Sequence, residues 1–267
     1  LFQIETTSVH GSYSGTIRNA KTWRDGQDET LQALPKIENE EKKVARIDPK
    51  KTGTTVRLYD LDEFSREIFE LTPDRVAYLL RTKTAIGSTR KRFGKHGAEV
   101  SVDLIVTSPD GRKRTKEIPF EYAFPDEFFP AKSVVDLDEF QKRAASLNDA
   151  QKAKELSGKF FKIEGLRDYG GRLVNYFAFF APSRADLDKA AQAKGLFDAK
   201  NETYDVKPGI YVATKGMPTG IEMSPPIRGV AGYWENIVMV LEYDNFTFDL
   251  GRKTIPGRTQ GMLKEIA

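Results

Sequence analysis

The sequence predicts an α+β fold, and three observations carry that expectation. Short alternating runs arrive as hairpin pairs rather than one strand per helix, which points away from a doubly wound parallel sheet. Helical stretches interrupt those pairs behind carboxylate or hydroxyl caps, as at Ser183-Arg-Ala-Asp186. Hydrophobic residues make up 39% of 267 positions, enough for a core, so a disordered chain is excluded.

Residues 1–60 read as β. Leu1-Phe-Gln-Ile-Glu-Thr-Thr-Ser8 alternates, His10-Gly-Ser-Tyr-Ser-Gly15 is expected to turn, and residues 16–23 form a second strand. A polar stretch reaches Glu41, followed by short strands at 43–47 and at Gly53-Thr-Thr-Val-Arg-Leu58. Asp60 or Asp62 can cap the next helix, because a carboxylate there accepts orphan backbone N–H groups. That helix is expected over 63–85, with Phe64, Ile68, Leu71, Val76, Leu79 and Leu80 on its apolar stripe. Pro73 opens its second segment, where a missing N–H costs little. Arg81 is expected to sit at the helix's C-terminal end, where a cation meets the negative end of the dipole.

A second β region covers 99–123, with Val100, Val102, Leu104 and Val106 alternating before the turn Ser108-Pro-Asp-Gly111. A charged insertion near 130–158 reads as helical from 133. Residues 160–163 and 173–180 make another hairpin across Gly170-Gly171, and the capped helix after Ser183 runs to Phe197. Gly209-Ile-Tyr-Val-Ala213 and residues 236–243 are strands, 251–258 is a loop, and a short helix closes the chain.

Composition removes several kinds of chemistry. Cysteine is absent, so disulfides, thiolate catalysis and cysteine-ligated metals are excluded. The two histidines, His10 and His96, leave little for a histidine metal site or a Ser-His-Asp triad. Gly11-Ser-Tyr-Ser-Gly15 lacks the spacing of a nucleophile elbow, and residues 165–172 have glycines without the Gly-Lys-Ser/Thr of a Walker loop. The carboxylates of Asp60-Leu-Asp-Glu63 and Asp136-Leu-Asp-Glu139 precede helical stretches, where capping explains them better than acid–base work. No apolar run approaches the roughly 20 residues that span a bilayer, and no signal peptide is visible, so the expected partners exclude membrane and the expected address is cytoplasmic.

With a net charge of +3, any basic surface must be local. The most uneven stretch, residues 81–95, holds six basic side chains and no acid. Solvated loop and phosphate-contact surface both account for it; in the second reading Arg90, Lys91 and Arg92 meet nucleic-acid phosphates and Phe93 stacks on a base. The loop over 87–97 is expected to be exposed, and Arg112, Lys113, Arg114 and Lys116 could share its face. Further on, Arg252, Lys253 and Arg258 read as a polar loop by composition, yet three cations among flexible glycines also suit an anion.

These segments, taken in order, resemble the distal part of a GHKL-superfamily ATPase, the group of MutL, gyrase B, MORC and the ninety-kilodalton heat-shock chaperone. In that family the ATP-binding lobe ends in antiparallel strands, often with Gly-Thr-x-Val, which Gly53-Thr-Thr-Val matches. A transducer domain follows, with a late strand-turn-strand, here around Thr214-Lys-Gly-Met-Pro-Thr219, and a loop lysine that touches the ATP γ-phosphate. Lys253 matches that lysine best, with Arg252 a close rival. The resemblance implies residues 1–62 as the last strands of an ATP-binding lobe and 63–267 as a transducer-like α/β sandwich domain. The 130–158 insertion has no counterpart in the family pattern. The Asp-x-Gly-x-Gly adenine segment and the metal-binding helix are absent, and the chain opens in mid-strand without methionine, so a preceding ATPase segment is expected as partner.

The resemblance therefore implies ATP and Mg as cofactors, held mostly outside this chain, with homodimerisation and action on DNA as further expectations. This chain alone is not expected to hydrolyse ATP. The alternative, from a different class, is a nucleic-acid-binding or scaffolding module without nucleotide chemistry. A small-molecule hydrolase is disfavoured because no nucleophile–base pair is visible.

Overall fold

The structure is a computed structural model of the chain. It describes residues 2–9, 11–17, 38–43, 53–58, 71–95, 100–107, 112–198, 202–223, 234–244 and 257–266. The fold is α+β. The chain divides into two compact units, Leu1–Glu70 and Leu71–Ala267.

In the first unit, β1 (Phe2–Ser8), β2 (Gly11–Ile17), β3 (Glu38–Lys43) and β4 (Gly53–Leu58) form one antiparallel sheet in the order β3-β2-β1-β4. Two sequence expectations are corrected here. Ser8 pairs with Gly11, so residues 11–15, read as part of a turn, already belong to strand β2. Likewise the polar stretch ending near Glu41 contains strand β3. Its backbone pairs along β2 at the sheet's edge, where a charge-rich sequence suits a strand with one side unpaired.

The second unit opens with α1 (Pro73–Lys83). Thr72 is its cap, accepting from the Arg75 N–H at 3.3 Å, and Pro73 occupies the first turn as expected. The earlier part of the predicted helix, with Asp60, Asp62, Phe64 and Ile68, lies outside the described residues. The C-terminal end of α1 is closed by Thr84, whose hydroxyl donates to the Leu80 carbonyl at 2.7 Å. The chain then folds back so closely that a Cβ at Gly87 would overlap the Arg81 carbonyl oxygen. Only glycine allows that approach.

Strands β5 (Val102–Thr107) and β6 (Lys113–Ile118) form a separate antiparallel pair. The insertion supplies β7 (Val134–Asp136), α2 (Leu137–Ala144) and α3 (Asp149–Leu156). Asp136 accepts from the Asp138 and Glu139 N–H groups at 3.1 and 3.2 Å, so this carboxylate caps α2. Asn148 and Gln151 cap α3 reciprocally. Then come β8 (Phe160–Asp168), β9 (Leu173–Phe180) and α4 (Arg184–Ala193), the last capped by Ser183. Helix α4 ends before the expected Phe197, because Gly195 takes the left-handed conformation at φ 70° and releases the chain. Phe197 instead begins β10 (Phe197–Asp198), paired with β11 (Thr203–Tyr204). Strands β12 (Gly209–Thr214), β13 (Met217–Met223) and β14 (Ile237–Glu242) and helix α5 (Gly257–Ile266) complete the unit.

Six strands build its main sheet in the order β13-β12-β14-β9-β8-β7, antiparallel except for β12–β14 and β7–β8. The alternation of β9 and β14 sends side chains to two faces. Val174, Ala178, Ile237, Met239 and Leu241 pack on one, with Met262 and Leu263 of α5 covering them. Phe177, Phe179, Val238 and Val240 pack on the other beneath Leu187 and Ala191 of α4 and the aromatic segment of Tyr122 and Phe124. A central strand covered on both sides reads as one apolar run, which is why β14 is Ile-Val-Met-Val-Leu before its glutamate.

Candidate functional site

Three separate stretches of the second unit meet at the end of β14. Residues 88–95 turn beneath the β12–β13 hairpin, with the Thr89 N–H donating to the Gly216 carbonyl at 3.1 Å. The hairpin itself turns through Lys215 at φ 52° and Gly216 at φ 80°. Two left-handed residues in a two-residue loop match the right-handed twist of the flanking strands. A Cβ on Gly216 would run into the Arg90 side chain, so the glycine also admits that arginine.

The last residue of β14 is Glu242, whose side chain is 0% exposed. A carboxylate this deep is tolerated only with partners. It accepts the Thr89 hydroxyl on one oxygen and the Lys95 ammonium on the other, the latter at 2.5 Å. Lys95 also reaches Asp244 at 2.8 Å, and Asp244 in turn accepts the Lys215 backbone N–H at 2.7 Å. Arg90 donates to the Lys215 carbonyl at 3.3 Å. A single lysine thus ties the 88–95 turn to the end of β14 and, through Asp244, to the hairpin turn.

The electrostatics agree with that geometry. Burial works against the Lys95 ammonium, but hydrogen bonds to Asp244 and Glu242 outweigh it, and Lys95 holds its proton more tightly than an ordinary lysine. Burial would raise the Asp244 carboxyl, yet Lys95, the Lys215 N–H and the nearby Arg90 charge hold it below the usual aspartate value of 3.8. A depressed carboxyl stabilises the fold above its unfolded pKa, and that contribution disappears as pH falls through the folded value. The gap in urea midpoint between wild type and Asp244→Asn should therefore stay constant near neutrality and shrink below the ordinary value of 3.8. A gap that does not change with pH would show that Asp244 contributes nothing through its charge.

Of the residues expected to act, Arg252 and Lys253 lie outside the described residues, between Asp244 and α5. The structure describes the three basic residues 90–92 and treats them differently. Lys91 extends into solvent, 80% exposed, beside Glu121 at 3.2 Å. Arg90 is exposed, with its contact to Lys215. Arg92 faces inward: its guanidinium bonds Asp126 at 2.7 Å and Glu164 at 2.5 Å and lies over the rings of Phe124 and Phe177. The expectation of an exposed loop from residue 87 is corrected, because Gly87, Ser88 and Thr89 are buried. Arg81 does more than the sequence indicated. It stands in the last turn of α1 as expected, and the structure adds partners the sequence did not show: its guanidinium donates to the Glu121 and Tyr122 carbonyls and pairs with Glu127 at 2.8 Å.

Sequence reasoning missed Thr89, Glu242 and Asp244. A signal was present for one of them: Glu242 interrupts an unbroken apolar run, where a charge is out of place unless paired. Among the described residues no three His, Asp or Glu side chains form a group that could hold a metal ion. No helix of the described residues is long and apolar enough to cross a membrane.

No family model matches the chain, and no curated protein matches it. Among solved structures, the chain is similar to the 43K ATPase domain of Thermus thermophilus gyrase B in complex with an aminocoumarin, at 14% identity and a TM-score of 0.30. The similarity covers 99% of this chain and 63% of that one, so the chain spans less than two thirds of that domain's length.

Proposed function

We propose that this chain is the distal part of an ATP-dependent conformational clamp of the GHKL class, in which Lys253, with Arg252 beside it, senses the ATP γ-phosphate. The observation that best supports the reading is how the Lys253 connection is rooted. It leaves β14 at Asp244, which Lys95 and the Lys215 N–H hold, and it enters α5, whose Met262 and Leu263 are buried in the core. The two described ends of the segment that carries Lys253 are thus both held by contacts within the second unit.

The physics is differential binding. The γ-phosphate adds charge that Lys253 meets in only one arrangement, so ATP favours that arrangement and ADP does not. In this reading ATP and Mg are bound mostly by the preceding ATPase segment, as the family resemblance implies. Water activation also belongs to that segment, and the present chain supplies positioning and charge.

The test is ATP turnover by the protein joined to its N-terminal ATPase segment. Lys253→Ala should lower kcat by roughly 100-fold, the scale of losing one charged transition-state contact. ADP affinity should stay unchanged, and the chain alone should turn over no ATP. Undiminished hydrolysis in the variant would remove Lys253 from the mechanism.

A further inference from the structure

We infer that the helical insertion holds a binding cleft for a small phosphate monoester with an apolar body. This inference does not depend on the ATP reading. The cleft lies among β7, α2 and α3 and encloses about 650 Å³. That volume falls within the roughly 300–1,000 Å³ of small-molecule sites. Val134, Val135 and Leu147 give it an apolar lining, and lysines and an arginine surround them.

The charge balance selects the ligand class. Arg143 is neutralised by Glu155 at 2.8 Å. Asp136 is committed to the first N–H groups of α2 and faces Lys162 at 3.6 Å, a lysine that also faces Asp126 at 3.9 Å. Lys159 donates to the Lys132 carbonyl at 2.7 Å, a neutral acceptor that leaves its charge uncompensated. Neither Lys132 nor Lys154 has a carboxylate within ion-pair distance among the described residues, and Glu139 is the one lining acid wholly left over. Three ammonium groups against Glu139 and the share of Asp136 that Lys162 does not meet leave a net positive surplus that suits an anion. A phosphate monoester carries close to two negative charges at neutral pH, and lysine serves phosphate as a mobile point charge. The apolar lining would take the ester's organic part, which inorganic phosphate lacks.

The experiment titrates the full chain with phenyl phosphate and with inorganic phosphate, by calorimetry at low salt. Phenyl phosphate should bind saturably, at least tenfold more tightly than inorganic phosphate. The exposed pair change Lys132→Glu with Lys154→Glu should weaken it at least tenfold without moving the melting temperature. Leu147→Asn, which removes the apolar contact without adding charge, should weaken phenyl phosphate but not inorganic phosphate. Absence of saturable phenyl phosphate binding, or equal affinity in the double variant, would overturn the assignment. Equal affinity for the two probes would overturn the apolar half of it.

Discussion

Lys95→Met is expected to destabilise the second unit by about 3 kcal/mol, toward the low end of what breaking a buried ion pair costs. The loss arises from what remains: Glu242 would stay fully buried with, among the described residues, only the Thr89 hydroxyl to meet its charge. The low end applies because Lys95 keeps partial contact with water, which screens its share of the attraction. Adding Glu242→Gln should recover most of the stability, since a buried neutral amide costs less than a buried unpaired carboxylate. Urea unfolding of wild type, Lys95→Met and the double variant measures this. A Lys95→Met midpoint equal to wild type would mean that the pair does not hold the turn to the strand end. Arg at position 95 should not substitute fully, because its planar fork cannot sit where one compact ammonium meets two carboxylates.

The second large effect is expected at Arg92. Its side chain is only 16% exposed, lies 4.8 and 4.5 Å from the ring centres of Phe124 and Phe177, and bridges Asp126 and Glu164. Arg92→Met should cost about 3–5 kcal/mol, because Asp126 would lose its bidentate partner in a half-buried site. Arg92→Lys should recover only part of that, since an ammonium cannot present the two parallel donors that Asp126 receives. Combining Arg92→Met with Asp126→Asn should cost clearly less than the sum of the single changes, the mark of a direct interaction. Additive losses in urea unfolding would show that Arg92 acts through packing on the two rings alone.

These two residues show where local sequence stops being informative. The α+β class, the hairpins and the helix starts are written in short-range patterns. Pro73, Asp136 and Ser183 mark helix N-termini because a cap is chosen by the few N–H groups beside it. The buried strands β9 and β14 announce themselves because side chains alternate every second residue onto faces that both need apolar cover. Each of these features depends on neighbours within about four residues, so the sequence by itself determines them.

The fate of the basic run over 81–95 is of another kind. From composition it reads as a charged loop open to solvent or to phosphate. The tertiary structure decides otherwise for much of it, because the acids that neutralise it lie far along the chain. Arg92 meets Asp126 across 34 residues, and Lys95 meets Glu242 across 147. The same holds for β3, whose charged sequence becomes a strand only because β2 offers a backbone edge to pair with. Patterning tells a residue which side of its own element it occupies. Which distant charge or strand edge lies opposite is settled when the sheet order and the cover of its faces bring those partners together, and that is a property of the folded chain alone.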